Sequence, residues 1–347
     1  MRYVYLAKSD LDALIQHLKK SHRVIAPVKK ENLFILAEVQ GAGEIALKYI
    51  PTILPPKKYF FPPVEKLGSF KMGDEKMNSV NMETQPTVLF GLHTCDIDGI
   101  ECLETVFHYH PADPYYKKRR KSLVLIGYEC MFPCDEYATC VTMDTHNPKA
   151  GYDIMITDAG DKYIIHMNSE IGEKLIGTCL AVSRTGNDAD IKFELRRLRE
   201  EKIKKFKTIL DTEYTEIHDL FKQSYKAPAW KDVGKRCVSC GNCTTVCPTC
   251  YCFDIQDEVE LNMETGERKR IWDSCQLEEF ATVAGGENFR EERSERQRHR
   301  YYRKFCYSID KYNKFFCTGC GRCTRACVAD IKLYETLNQL KKETNNV

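Results

Sequence analysis

The sequence lacks the features that mark several large protein classes. It has no apolar run approaching the roughly 18 residues that a membrane-spanning helix needs. Its 52 basic and 50 acidic residues nearly cancel, to a net charge of +2, so no excess charge attracts the chain to nucleic acid or to an acidic membrane. The start of the sequence has no apolar leader and no twin arginine, so we expect a cytoplasmic protein. The 43% apolar and 11% aromatic content excludes a disordered chain.

Cysteine is the residue that the chain has in excess. There are 18 cysteines in 347 residues, and they are grouped. In a reducing compartment such groups bind metals or act in catalysis, whereas in an oxidising one they form disulfides. We therefore expect most of these cysteines to be metal ligands; buried thiols are the second choice, and disulfides are the last. The length predicts two or three compact units.

Two apolar strands in the N-terminal half each lead to a cysteine. Residues 86–92, PTVLFGL, run into Cys95, and residues 122–128, SLVLIGY, run into Cys130. The segment between them is long enough for a helical crossover, which predicts parallel strands. If these strands are neighbours, Cys95 and Cys130 meet at the edge where open α/β sheets usually bind ligands.

The patterns together predict three units. An α/β or α+β domain with a mixed sheet occupies residues 1–185, a helical connector follows at 186–230, and a mainly helical dicluster ferredoxin-like domain occupies 231–347. Within the connector, Asp211 is predicted to cap the second of two helices. The proline-rich stretch 51–63 is predicted to be a surface strap that exposes aromatic side chains to a partner.

Four cysteines form each of two similar runs in the C-terminal unit. The first run, Cys237 to Cys247, and the second run, Cys317 to Cys327, both have the C-x2-C-x2-C-x3-C spacing of bacterial ferredoxins. In such a run three cysteines hold one cubane, and the fourth reaches the other cluster. The predicted 4Fe-4S ligands are therefore Cys237, Cys240, Cys243 and Cys327 for one cluster, and Cys317, Cys320, Cys323 and Cys247 for the other. Zinc is the alternative, but it gains nothing from the third cysteine of each run.

The segment between the runs, residues 248–316, is longer than a compact ferredoxin needs. Helices are expected there, at DSCQLEEFATVA (273–284) and at NFREERSERQRHRYYRKF (288–305). The second of these is strongly basic, which raises the possibility of nucleic-acid binding. Because glutamates and tyrosines are interleaved with the basic residues, we expect a solvated or subunit-facing helix instead.

Several segments resemble a known family. They read KRCVSCGNCTTVCPTCYCFDIQDE, GERKRIWDSCQLEEFATVAGGENFREERSERQRHRYYRKF and FCTGCGRCTRAC, with PPKKYFFPPVEKL, GLHTCDIDGI and DPYYKKRR upstream. They resemble an iron–sulfur subunit that cytoplasmic nickel–iron hydrogenases (sulfhydrogenases), where it is the beta subunit, share with anaerobic sulfite reductase. The resemblance implies 4Fe-4S clusters that relay electrons from a neighbouring subunit with flavin and a nicotinamide nucleotide to a subunit that performs the terminal chemistry.

The resemblance also implies a third 4Fe-4S cluster in the N-terminal domain. Many relatives have a Cys-Phe-Cys pair in the second cysteine loop, where this chain has Ala-Thr-Cys at 138–140, so another cysteine must replace the missing one. A zinc site that adds His93 or His146, and thiols without a metal, are the alternatives. The candidate ligands are Cys95, Cys130, Cys134 and Cys140.

Six cysteines remain outside these sets. Cys102 and Cys179 lie in apolar contexts and are expected to be buried thiols. The cysteines at 250, 252 and 275 either pack structurally, line a cluster or replace a ligand, and Cys306 has no assigned role.

Three classes of function are open to such a chain. The leading hypothesis is a non-catalytic electron-transfer subunit. One partner would bind FAD and NAD(P), and a second partner would be a catalytic metalloprotein. The sequence itself has no nucleotide-binding glycine motif. The second is a free-standing iron–sulfur reductase whose substrate site lies at Cys95, Asp96 and His93. The third is a nucleic-acid enzyme with structural clusters, which a steep salt dependence of binding would reveal.

Overall fold

The computed structural model describes residues 2–80, 82–183 and 186–345. Its strands are β1 (Tyr3–Ala7), β2 (Arg23–Lys30), β3 (Leu33–Glu38), β4 (Val64–Lys71), β5 (Asn78–Ser79), β6 (Thr87–Leu92), β7 (Leu123–Tyr128), β8 (Ile154–Asp158), β9 (Lys162–Met167), β10 (Val182–Ser183), β11 (Phe253–Val259) and β12 (Thr265–Trp272). Its helices are α1 (Leu11–Lys19), α2 (Thr94–Phe107), α3 (Pro114–Lys121), α4 (Glu170–Gly177), α5 (Asp188–Ile203), α6 (Ile217–Gln223), α7 (Ala229–Arg236), α8 (Asn242–Thr245), α9 (Arg293–Phe305), α10 (Tyr307–Tyr312), α11 (Arg322–Arg325) and α12 (Leu333–Asn345).

An eight-stranded mixed sheet forms the N-terminal part, in the order β10-β1-β9-β8-β7-β6-β2-β3. Strands β2, β6, β7 and β8 are parallel, and antiparallel strands flank them. The mixed sheet and the parallel pair β6–β7 are thus confirmed, with Leu89 opposite Leu125. Both strands are buried along their whole length, as expected for the centre of a parallel sheet covered on both faces.

Helices cover both faces of this sheet. On one face α1 and α4 pack through Leu14 and Ile176, and on the other α2 and α3 pack through Ile100 and Tyr116. Alternate residues of the strands face the two layers, because successive side chains of a strand point to opposite sides. The crossover helix α2 begins directly after β6, which places the cysteine of this loop in the first turn of the helix.

The proline-rich strap is buried, which corrects the expectation of an exposed docking element. Phe60 and Phe61 are 0% exposed and belong to the core beneath α2 and α3. The prolines do break regular structure, leaving one 3-10 turn at Pro56–Tyr59. The aromatic side chains inside the strap nevertheless fill the space between the sheet and its helices.

The connector is divided between two cores. Helix α5 packs on the large sheet through Ile191 and Leu195, whereas α6 packs with the C-terminal helices through Phe221. Asp211 caps neither helix, because α5 ends earlier, at Ile203, and a 3-10 turn at Tyr214–Glu216 leads into α6. The backbone N–H of Asp211 instead donates to the Asn338 side chain. The predicted boundary at 185 falls at a gap in the described residues.

A second sheet joins the two halves of the chain, in the order β11-β12-β4-β5. Strands β11 and β12 form a hairpin inside the segment where only helices were expected. Residues 273–284 contain a 3-10 turn, Glu279–Ala281, and no longer helix, so that expectation was wrong. The helix predicted in the basic stretch is confirmed as α9.

The C-terminal unit is otherwise helical, as predicted. Helices α6, α7, α9, α10 and α12 share a core that includes Trp230, Phe305 and Leu337. The terminal helix α12 packs on its own unit, since Leu337 and Leu340 are fully buried. Among the helices of the described residues, none is both long and apolar enough to span a lipid bilayer.

Candidate iron–sulfur sites

The first cysteine run surrounds a small cavity at the end of α7. Cys237, Cys240 and Cys243 line it together with Cys327 from the second run. The Cys237 sulfur accepts hydrogen bonds from the Gln297 side chain at 2.9 Å and from the Ser239 N–H at 3.4 Å. Such donors stabilise a thiolate, because they favour the charged form of the sulfur.

The second run lines a neighbouring cavity, where its cysteines meet one from the first run. Cys317, Cys320 and Cys323 share this cavity with Cys247. The ammonium group of Lys304 lies 3.1 Å from the Cys247 sulfur. Cys323 and Arg300 border both cavities, so the two cysteine sets are adjacent.

Glycines allow the backbone to turn tightly around each site. Gly241 and Gly321 have φ angles of +77° and +70°, in the left-handed region that favours glycine. At Gly319, with φ of +65°, a Cβ atom would come within 2.5 Å of the Cys140 backbone nitrogen. The loop that carries Cys140 therefore packs directly on the second run.

The spacing of the sulfur atoms fits clusters better than mononuclear zinc. Around one tetrahedral zinc ion the sulfurs lie about 3.8 Å apart, given Zn–S bonds of about 2.3 Å. Within the described part of the chain, which includes every cysteine, the one trio of His, Cys or carboxylate ligand atoms within 4.8 Å of one another is His218, Cys306 and Asp310. No three of the predicted cluster cysteines, all of which the structure describes, have all their sulfurs within 4.8 Å of one another, which is compatible with a cubane that has a separate iron for each thiolate.

The N-terminal candidates lie at the carboxyl edge of the large sheet and beside the second run. Cys95 is in the first turn of α2, and Cys130 follows β7. The loop that continues to Cys140 is held to the second run by the hydrogen bond from Thr139 N–H to Gly319 C=O, at 2.8 Å. Cys134 lies between them and lines a large open cavity with Cys130. The fold thus brings these thiols to one end of the sheet.

Burial is the main influence on these thiols. It raises the pKa of Cys130 to about 11 and that of Cys140 to about 12, and it raises the pKa of Cys95 and Cys134 further. Neighbouring thiols contribute in the same direction, because Cys134 and Cys140 each interact with Cys130. Without a cation these groups are neutral at pH 7, and a bound metal ion is the usual agent that deprotonates buried thiols.

A buried ion pair connects the N-terminal thiols with the second run. Asp96, next to Cys95, accepts two hydrogen bonds from the guanidinium of Arg322, at 2.5 and 2.9 Å. Arg322 lies between two cysteines of the second run and also donates to the carbonyl of Thr52 at 2.7 Å. Asp96 and Arg322 are each 1% exposed. This bidentate pair fixes the relative position of the two cysteine sets.

The two histidines considered as zinc ligands are both buried. His93 lines the large cavity with Cys130, and burial lowers its pKa to about 4, so its ring is neutral. His146 lies beside Asn147, with 3.0 Å between Nε2 and the amide nitrogen. Among the described residues, the Nδ1 atoms of both rings have no hydrogen-bond partner.

Sequence reasoning missed the basic residues of α9. The stretch was expected to be solvated or to face another subunit, but Arg296, Arg300 and Lys304 are between 3% and 5% exposed. Arg300 and Lys304 line the cysteine cavities, and Arg296 donates to the Ser239 hydroxyl of the first run at 3.2 Å. Their four-residue spacing places them on one face of the helix and was visible in the sequence. In the sequence of α9, basic residues on one face alternate with aromatic residues that pack in the core. This alternation is the signal that could have identified the buried basic residues.

The comparisons with known proteins agree with this geometry. Residues 236–331 match the family model described as a 4Fe-4S dicluster domain. The chain is 34% identical over 342 residues, 99% of both chains, to sulfhydrogenase 2 subunit beta of Pyrococcus furiosus (strain ATCC 43587 / DSM 3638 / JCM 8422 / Vc1). The chain belongs to the family of sulfhydrogenase beta subunits. No solved structure matches it significantly.

Membership of the sulfhydrogenase beta-subunit family confirms the resemblance inferred from the sequence, and the dicluster domain makes this chain an iron–sulfur protein. The matched region contains both cysteine runs and the buried face of α9, whereas the N-terminal thiols lie outside it. Ligand assignments within the domain, and the N-terminal cluster, therefore rest on the arrangement described above.

Proposed function

We propose that this chain is the electron-transfer subunit of a cytoplasmic multi-subunit oxidoreductase. It relays electrons between a partner that binds flavin and NAD(P)H and a second partner that carries the catalytic metal. The ligands are Cys237, Cys240, Cys243 and Cys327 for one 4Fe-4S cluster, Cys317, Cys320, Cys323 and Cys247 for a second, and Cys95, Cys130, Cys134 and Cys140 for a third. The family relationship to a hydrogenase subunit supports the assembly with partners, and the 18 free cysteines fit a reducing compartment.

The observation that carries this proposal is the contiguity of the cysteine sets. The two cavities of the runs share Cys323 and Arg300, and Gly319 of the second run contacts the loop of Cys140. When bound, the clusters supply one-electron redox chemistry. The protein surrounds the cysteine sulfurs with hydrogen-bond donors and buried cations, which are the means by which proteins adjust cluster potentials.

Both ends of this series reach the surface, as electron exchange with partners requires. At the first run Cys240 is exposed, and Val238 and Val328 beside it are 57% and 68% exposed. At the other end the large cavity next to Cys134 is bordered by Phe132, which is 56% exposed. Exposed apolar side chains around a redox site suit the docking of another protein.

The same cavity favours a second candidate function, a reductase with its own substrate site. Cys130, Cys134 and His93 face it, and Lys48 and Lys205 contribute positive charge to its wall, whereas Lys8 there is paired with Asp158 at 2.8 Å. A small anionic acceptor bound there would lie next to the N-terminal thiols.

One experiment separates the two candidates. The isolated chain, loaded with its clusters, is mixed anaerobically with NADH or NADPH, with and without the proposed flavoprotein partner. The relay predicts bleaching of the clusters at a physiological rate only when the flavoprotein is present. Rapid bleaching by the nucleotide alone, or steady turnover of a small anionic acceptor by the isolated chain, would refute the assignment as a relay.

A further inference from the structure

Three cysteines outside the twelve assigned ligands line a cavity of their own. Cys250, Cys252 and Cys275 border it, together with His299 and Lys304 of α9. The space between atoms in this cavity is about 360 Å³, compared with about 460 and 400 Å³ in the cavities of the second and first runs. A third cavity of similar size, lined by thiols in the same way, therefore lies within the dicluster domain.

The hairpin β11–β12 is what brings these cysteines together. Its register pairs Phe253 with Trp272, so the residues just before β11 and just after β12 are neighbours. Cys252 directly precedes β11, Cys275 lies three residues after the end of β12, and both line the cavity at this end of the hairpin. The backbone is fixed there by the hydrogen bond from Asp273 N–H to the Cys252 carbonyl, at 3.0 Å. Pairing over seven residues thus holds two sulfurs at the base of the hairpin.

Buried positive charge around the cavity has no carboxylate to balance it. Lys57, Arg300 and Lys304 are 3%, 5% and 5% exposed, and within the described residues none forms an ion pair with Asp or Glu. Lys57 is particular to this site: its ammonium group lies 3.1 Å from the Cys250 carbonyl and 4.1 Å from the centre of the Trp272 ring. Arg300 and Lys304 also border the cavity of the second run, so Lys57 is the cation that argues for this site. A buried cation without a counter-charge costs several kcal/mol of folding free energy, so an anionic group is expected next to Lys57.

The sulfurs themselves receive donors, as cluster ligands commonly do. Lys304 lies 3.2 Å from the Cys250 sulfur, and the Gln276 side chain lies 3.5 Å from the Cys275 sulfur. Among the described residues these three sulfurs do not all lie within 4.8 Å of one another, which is too wide for one zinc ion. His299 provides an imidazole on the same wall, a ligand type that also occurs in iron–sulfur proteins.

We infer that Cys250, Cys252 and Cys275 bind a fourth iron–sulfur cluster, a 4Fe-4S cubane with His299 as the ligand of its fourth iron. Lys304 and Arg300 border both this cavity and that of the second run. The new site therefore lies beside the proposed cluster of the second run, which is the middle one of the three proposed above. The inference goes beyond the proposed relay, which needs only the twelve assigned cysteines, and it holds whichever partners the subunit has.

The test is a count of iron and acid-labile sulfide in the full-length chain after anaerobic purification and reconstitution. In a variant with Cys252→Ala and Cys275→Ala, we expect a loss of about four irons and four sulfides per chain relative to the wild type, the content of one cubane. The matched control is Cys179→Ala, which removes a buried thiol from the core of the large sheet that lines none of the cavities described above; it should keep the full iron content.

A second variant covers the possibility that the double variant does not fold. His299→Cys should retain all iron but change the electron paramagnetic resonance signal of one reduced cluster, because a thiolate replaces an imidazole. The inference is overturned if the double variant folds with wild-type iron content, if it loses one zinc instead, or if a Cys252–Cys275 disulfide is found in the wild type. Since the readout is stoichiometry and not electron flow, its failure is distinct from failure of the relay.

Discussion

Replacing Asp96 by asparagine should destabilise the protein strongly although it changes only a few atoms. The substitution removes the charge that balances Arg322, which is 1% exposed and donates to Asp96 at 2.5 and 2.9 Å. Breaking one side of a buried pair costs about 3–5 kcal/mol, because the remaining charge stays buried and uncompensated. The Thr52 carbonyl still accepts from the guanidinium at 2.7 Å, so we expect the lower end, ~3 kcal/mol.

The assay is anaerobic thermal unfolding of the loaded chain, with the apparent Tm as readout. At roughly 2 °C per kcal/mol for a chain of this size, Asp96→Asn should lower Tm by about 6 °C. The matched control is Glu201→Gln, which removes the Glu201–Lys204 pair, whose side chains are 60% and 66% exposed; an exposed pair contributes about 0–1 kcal/mol.

A double variant, Asp96→Asn with Arg322→Met, completes the cycle. It should be less destabilised than the sum of the two single variants, since no buried charge remains without a partner. The reasoning is refuted if Asp96→Asn lowers Tm no more than Glu201→Gln, or if the two single effects are simply additive.

Three further predictions concern individual side chains. Cys247→Ser should alter the paramagnetic spectrum of the second run's cluster and leave that of the first run unchanged; the opposite pattern would disprove the crossed ligation. Lys304→Met removes a buried cation 3.1 Å from the Cys247 sulfur, so the potential of the nearest cluster should fall, on the order of 100 mV for one charge in a partly polar interior; a rise in a redox titration would contradict this. Burial lowers the pKa of His166 from 6.5 to about 4. Between these pH values His166 therefore binds a proton in the unfolded chain but not in the folded one. Stability should therefore fall as pH drops from 6.5 towards 4, and His166→Phe should reduce that fall, measured as unfolding midpoints at pH 7 and pH 5; equal slopes in both proteins would exclude this role.

Much of the fold followed from local pattern. The strands β6 and β7 are apolar throughout, which identifies central parallel strands and hence the sheet edge at which Cys95 and Cys130 lie. The regular spacing of the two cysteine runs led to the prediction of two crossed ligand sets, because metal ligation constrains spacing more tightly than packing does. The cysteines of each set line a common cavity, and the ligation itself stays a prediction.

What the sequence did not reveal depends on contacts between distant segments. Strand β11 is exposed along its whole length, so it has no apolar alternation to mark it, and its sheet is completed by β4, nearly two hundred positions earlier. Phe60 and Phe61 sit among prolines that predict a surface loop, yet they fill a core that only the assembled sheet and helices create. The charge in α9 predicted solvent exposure, because charged side chains are rarely buried without a partner; Arg300 and Lys304 are buried beside cysteine side chains instead.

The central claim is that electrons pass through the cysteine sites of this chain on their way between two partners. The most direct test is the assembled complex carrying Cys320→Ser, with subunit ratios verified by native mass spectrometry. NAD(P)H-linked turnover of the terminal reaction should be lost, while reduction of a dye by the flavoprotein and dye-driven turnover at the catalytic subunit continue at wild-type rates. Undiminished NAD(P)H-linked turnover in a complex shown to lack that cluster would contradict the account.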